Sequence, residues 1–128
     1  AVWFAKGGYG SNRLLPAALE GLGPVARGKT YLGYSDGGFL LGALYRHGIG
    51  QAVHAPMPID IRRPNGAGAV RRTLAWLAGD GAGLEPHCGA EPTVAFNLTT
   101  LAMLLGTPYM PDLTGHVLMV EEVCEHLY

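Results

Sequence analysis

The sequence predicts an α/β fold built on a mainly parallel sheet flanked by helices, and three observations predict it. Short apolar runs alternate with amphipathic stretches in the order strand, helix, strand, helix, strand, at the spacing of parallel crossovers. Glycine makes up 20 of 128 residues, roughly twice its usual share and without a collagen period, as many tight turns and close backbone approaches require. Hydrophobic residues make up 48% of the chain, enough to fill a core and too many for a disordered segment.

Residues 1–5 are an apolar run halted by Lys6-Gly7-Gly8-Tyr9-Gly10, a buried strand ending in a glycine loop. Ser11-Asn12 can cap a helix over residues 13–21, with Leu14, Leu15, Ala18 and Leu19 on one face. Gly21, Gly23 and Pro24 stop it. Residues 29–33 (Lys-Thr-Tyr-Leu-Gly) are β-branched and aromatic, the second strand. Ser35-Asp36 then opens a helix through Phe39, Leu40, Ala43 and Leu44, closed by His47-Gly48. Gln51–His54 is a third short strand, followed by Ala55-Pro56-Met57-Pro58.

From Asn65 or Gly66 to Leu77 the chain reads as an amphipathic helix, with Val70, Leu74 and Leu77 on one face and Arg71 and Arg72 on the other. Residues 79–92 are glycine-rich and aperiodic, a linker or crossover. Residues 93–96 form a strand and 97–105 a helix of small residues. Two prolines and a glycine make 106–111 a loop. Residues 115–120 are a strand that runs into Glu121-Glu122.

Several function classes are disfavoured. Nine Lys plus Arg against ten Asp plus Glu give a net charge of −1, without the positive excess that a nucleic acid or an anionic membrane surface would need. The apolar stretches fall far short of the roughly 20 residues of a membrane span. Cys88 and Cys124 form no CxxC pair and read as reduced thiols of a cytosolic-type protein. His47, His54, His87, His116 and His126 show no metal-ligand spacing, so no metal and no cofactor is expected.

The sharpest local signal is Gly33-Tyr34-Ser35-Asp36-Gly37, a GxSxG between a strand and a helix. In that context the glycines permit a strained turn that lifts the serine hydroxyl clear of the sheet, and the helix behind it favours developing negative charge. Ser35 is therefore a candidate nucleophile; the plainer reading makes it a helix cap. The loop at 6–10 also ends a strand, so glycine amides there, like the Asp36 N–H, could donate to an oxyanion, or the loop is simply a turn. Glu121-Glu122, with Glu125 and His126 close by, follows a strand end where a carboxylate could orient a histidine, or else these acids are merely solvated. His54 lies near the sheet edge, where a structural role is the default.

Taken together, five ordered motifs resemble the serine LD-carboxypeptidases, the family of the muramoyl-tetrapeptide carboxypeptidases and the microcin-C self-immunity peptidases. They are Lys6-Gly7-Gly8-Tyr9-Gly10-Ser11-Asn12-Arg13, Gly33-Tyr34-Ser35-Asp36, His54-Ala55-Pro56-Met57, Phe96-Asn97-Leu98 with Leu105-Gly106-Thr107-Pro108, and Val120-Glu121-Glu122-Val123-Cys124-Glu125. The resemblance implies that Ser35 is the nucleophile, that Glu121 is the triad acid, and that the amides of Gly8 and Asp36 form the oxyanion hole. It implies hydrolysis of an L,D-peptide bond, releasing the terminal D-alanine of a murein tetrapeptide, with a peptidyl-nucleotide antibiotic as the alternative substrate. It also implies a cytoplasmic homodimer when the protein is whole.

The chain departs from the family at Lys6, where arginine is usual, at Ala55, usually glycine, and at Gly37-Gly38. None of its five histidines matches the triad histidine, which the resemblance places beyond Tyr128. An opening without Met, basic segment or cleavage pattern reads as an excerpt, one expected to be inactive or nearly so and to expose apolar faces. The implied organisation is the latter half of a nucleophile domain over 1–64, a crossover helix and linker over 65–90, and the start of a smaller C-terminal α/β domain over 91–128. Two readings compete: a non-catalytic module that keeps the fold and binds murein peptides, indifferent to loss of the Ser35 hydroxyl, and an unrelated α/β esterase, which would turn over simple acyl esters with no preference for a D-terminal residue.

Overall fold

The computed structural model describes residues 1–86 and 88–123. Three parallel strands stand side by side in chain order, β1 (Val2–Trp3), β2 (Thr30–Gly33) and β3 (Gln51–His54). The crossovers carry α1 (Leu15–Glu20), entered by a 3-10 turn over Ser11–Leu14, and α2 (Gly38–Arg46), entered by a 3-10 turn over Ser35–Gly37. After β3 a 3-10 turn over Pro58–Arg62 leads into α3 (Gly66–Leu77). A second parallel pair follows: β4 (Thr93–Asn97), then α4 (Leu98–Leu104), then β5 (Val117–Glu121). The α/β class with parallel strands flanked by helices agrees with the sequence reading.

Helix α2 joins the two sheets because it is apolar on nearly every side, with Gly38, Phe39, Leu41, Gly42, Ala43 and Leu44 buried. Leu41 and Leu44 pack with Tyr31 and Ala26 against the first sheet. Phe39 and Ala43 pack on the other side with Leu15, Phe96, Leu101 and Leu104. The strand ends that follow β2 and β4 are thereby held on either side of one rigid element.

Three expectations need correction. The first strand is shorter than residues 1–5: only Val2 and Trp3 pair, with Tyr31 and Leu32. Phe4 still donates its N–H to the Leu32 carbonyl, and its ring then turns aside to pack under Gly33 and Gly37. Ser11-Asn12 does not cap α1; Gly10, with φ of 100°, starts the 3-10 turn, and the Ser11 side chain bonds elsewhere. On α3, Leu74 does not join Val70 on the buried face. It is 51% exposed, and Thr73 is buried in its place. The rotation is set at Gly66, where a Cβ would lie 1.7 Å from the Asp60 carbonyl oxygen, so the helix start is pressed onto the preceding turn with Gly66, Val70 and Thr73 inward.

No helix among the described residues is long and apolar enough to cross a membrane.

Candidate active site

The turn after β2 concentrates backbone strain on one side chain. Tyr34 is extended, and Ser35 then takes a left-handed φ of 55°, a conformation that costs a non-glycine residue about 1–3 kcal/mol. The glycines of the GxSxG serve a different need from the expected one. A Cβ on Gly33 would lie 2.5 Å from Phe4 Cδ2, and one on Gly37 would lie 2.8 Å from it. They are there for the Phe4 ring, while the serine itself carries the strained torsion.

The glycine loop after β1 reaches the same point. A Cβ on Gly7 would sit 3.2 Å from Ser35 Oγ and 3.6 Å from Met57 Cε, so the loop lies against the hydroxyl and a side chain there would crowd it. Gly8 follows with φ of 152°. Ser11 donates its N–H to Asp36 Oδ2 at 2.9 Å and its hydroxyl to the Asp36 carbonyl. The loop that carries Gly8 thus lies beside Ser35 and is bonded to Asp36.

At the end of β5 two neighbouring carboxylates meet different fates. Glu122 accepts four hydrogen bonds: from Asn97 Nδ2 (2.9 Å), Thr99 Oγ1 (2.7 Å), the Thr99 N–H (3.0 Å) and the Val123 N–H (3.0 Å). The Thr99 hydroxyl first, then the Asn97 amide and the two backbone donors, hold its carboxyl pKa down to about 2. It fastens the end of β5 to the first turn of α4. Glu121, paired across the sheet with Asn97, has a buried Oε1 with no hydrogen-bond partner among the described residues. A buried carboxylate oxygen without a donor is costly and calls for an explanation in function.

Glu121 lines a cavity of about 820 Å³ together with Tyr34, His54, Asp60 and Trp76. His54 ends β3 opposite Gly33 and meets the edge of the Tyr34 ring with centroids 5.9 Å apart. Burial lowers its pKa below the ordinary 6.5, with the Glu121 charge and the Ala95 backbone pulling the other way, so the imidazole is neutral at pH 7. Tyr34 donates its hydroxyl to Asp60 Oδ1 at 2.9 Å; burial first, then this bond, raises its pKa above 10. Asp60 also accepts the Met57 N–H at 2.7 Å and pairs with Arg63 Nε at 3.2 Å.

Asp60 and Tyr34 were not singled out by the sequence reading. The available signal was an acid at the third position of a turn begun by Pro58, where a carboxylate can cap the turn's own backbone.

Ser35 does not line the Glu121 cavity, and among the described residues no hydrogen bond links the two. His47 is exposed, and His116 bonds Tyr45 instead, at 2.6 Å. His87, Cys124, Glu125 and His126 lie outside the described residues. No group of three or more His, Cys, Asp or Glu among the described residues is placed to hold a metal ion.

Comparison with known proteins decides the family. The model of the LD-carboxypeptidase N-terminal domain matches residues 1–55, and that of the LD-carboxypeptidase C-terminal domain matches residues 92–128. The chain belongs to the LD-carboxypeptidase family. Ser35 falls within the N-terminal match and Glu121 within the C-terminal one. Murein tetrapeptide carboxypeptidase of Pseudomonas aeruginosa is 32% identical over an alignment of 149 residues, covering 100% of this chain and 47% of that protein. The microcin C7 self immunity protein MccF, solved as an inactive mutant in the apo state, shares the fold with a TM-score of 0.62 at 19% identity, over 94% of this chain and 47% of that one. This LD-carboxypeptidase chain spans about half the length of the curated relatives it matches, or somewhat less.

Proposed function

We propose that the complete protein carrying this chain is a serine LD-carboxypeptidase that hydrolyses the L,D-peptide bond of a murein tetrapeptide and releases its terminal D-alanine. The observation that carries the reading is Ser35: a non-glycine residue held at φ of 55° between a parallel strand and a helix, with its hydroxyl against a glycine loop. The murein-type substrate is supported by the name of the Pseudomonas aeruginosa relative.

In this mechanism Ser35 Oγ attacks the carbonyl carbon of the L,D bond while a histidine takes its proton. The carbonyl oxygen becomes an oxyanion facing the N–H groups of Gly8 and Asp36. Collapse breaks the C–N bond, the amine of D-alanine leaves with the proton from the histidine, and water hydrolyses the acyl-Ser35 ester by the same steps. Glu121 holds the histidine, and its Oε1, without a partner among the described residues, is the acceptor for that ring's N–H. The histidine comes from the part of the family's length that this chain does not span, so the chain alone is expected to be inactive.

The test is D-alanine release from an L,D-tetrapeptide by the complete natural protein beside its Ser35→Ala variant. Release by the parent and none by the variant is the expected result. A folded parent that releases none would overturn the murein assignment, and a variant as active as the parent would overturn the nucleophile.

A further inference from the structure

The side chain of Asp36 has no part in the proposed chemistry, which uses only its backbone N–H. Yet it makes a specific contact 25 residues back along the chain. Its Oδ2 accepts the Ser11 N–H at 2.9 Å, and its carbonyl accepts the Ser11 hydroxyl. Ser11 closes the glycine loop that carries Gly8.

That loop has little else to hold it. Lys6, Gly8 and Tyr9 are exposed, Tyr9 at 92%. A Cβ at Gly8 or Gly10 would meet nothing within 4 Å, so both positions look onto open space on that side. Both take positive φ values, 152° and 100°, in a region where glycine has wide freedom. At the base of the loop Gly7 lies against Ser35, and at its far end the Asp36 carboxylate and carbonyl hold Ser11.

We propose that the Asp36 carboxylate is a positioning residue for the oxyanion hole: it clamps the Gly8 loop to the Ser35 elbow, so that one residue supplies a donor from its backbone and holds the other donor in place through its side chain. The proposal rests on the assignment of Ser35 as nucleophile and of Gly8 and Asp36 as oxyanion donors. An oxyanion donor acts only within about 2.7–3.1 Å of the developing charge. A hydrogen bond to a carboxylate is stronger and shorter than a neutral one, which suits a clamp on an otherwise unsupported loop. Losing the clamp leaves substrate binding in place and loosens one of the two donors needed in the transition state.

The experiment measures kcat and KM for D-alanine release by the complete protein, with thermal midpoints as the check on folding. Asp36→Ala is expected to lower kcat roughly 10- to 100-fold while KM stays within about twofold. Asp36→Asn keeps an acceptor oxygen for the Ser11 N–H and is expected at least about threefold above the alanine variant. Ser11→Ala removes the hydroxyl half of the clamp and is expected to cost less than Asp36→Ala. The double variant is expected to fall short of the product of the two losses, as coupled residues do.

The proposal is overturned if KM rises while kcat holds, if Asn performs no better than Ala, or if the two losses multiply. Should Asp36→Ala fail to fold, Asp36→Asn and Ser11→Ala decide by the same kcat-against-KM split. Ser35→Ala separates the two levels. If it is inactive while the Asp36 and Ser11 variants match the parent, the clamp alone fails. If it matches the parent, the nucleophile assignment and the clamp fail together.

Discussion

The end of β2 and the end of β5 both bear the residues proposed for catalysis, and the chain prepares them in opposite ways. At the end of β2, Ser35 is fixed by geometry: a left-handed torsion, a phenylalanine ring beneath the flanking glycines and a glycine loop against the hydroxyl. At the end of β5, Glu121 is distinguished by what it lacks. Its neighbour Glu122 takes four donors and ties β5 to α4, while Glu121 Oε1 is buried with none among the described residues. Two adjacent identical side chains are thus separated into a fastener and an unfinished site: Glu121 ends β5, while Glu122 is the first residue beyond the strand and turns to the start of α4. A saturated carboxylate contributes to structure, whereas a buried unsatisfied one is retained at a cost that function explains.

Replacing the two glutamates one at a time tests that contrast most directly. Glu121→Gln in the complete protein is expected to lower kcat about 100-fold or more with little change in thermal midpoint, because it removes the charge that would hold a protonated histidine. Glu122→Gln is expected to do the reverse, keeping kcat near the parent value and lowering the midpoint. An equal loss of activity from both would dissolve the contrast.

The β2 end is tested through its glycines. Gly33→Ala places a Cβ against the Phe4 ring, and overpacking of this kind costs about 1–3 kcal/mol. Combining it with Phe4→Leu is expected to recover part of the loss in denaturant unfolding. Simple additivity would mean that the ring is not the reason for glycine there.

The smallest effect expected is a pH dependence of stability. The Glu122 carboxyl has a folded pKa of about 2 against an ordinary 4.5, so its stabilisation is complete above pH 4.5 and is lost as the pH falls toward 2. His54 acts in a different window. Its folded pKa is lowered, so the unfolded chain binds a proton first and stability declines as the pH drops below 6.5. Thermal midpoints measured across pH should lose the lower decline in Glu122→Gln and keep the upper one. Loss of both would show that the two groups are coupled.

The positions of β2, β3, α3 and β4 were legible because each is a local pattern with its own stop: Gly33, His54 before Pro56, Leu77 before Gly79, and Asn97, whose side chain caps α4 through the Thr100 N–H. The exposure of Leu74 was not legible. The helical period allows either Leu74 or Thr73 to face inward beside Val70, and contact between Gly66 and the Asp60 carbonyl settles the rotation. The joining of the glycine loop to Ser35 was only half legible. Both follow parallel strands and so share a sheet edge, but nothing local says that Ser11 would bond Asp36 in place of capping the helix that follows.

The sequence by itself determined the class, the succession of strands and helices along the chain and the serine at the strand–helix junction, because periodicity, glycine spacing and such a junction are properties of neighbouring residues. Only the tertiary structure decided which glutamate is saturated and which keeps a buried Oε1 with no donor among the described residues. It likewise decided that the GxSxG glycines serve Phe4, and that Asp36 holds the loop beside the nucleophile. Those outcomes depend on atoms brought together from 23 to 33 residues apart, where hydrogen bonds and steric contact, and no local preference, select the arrangement.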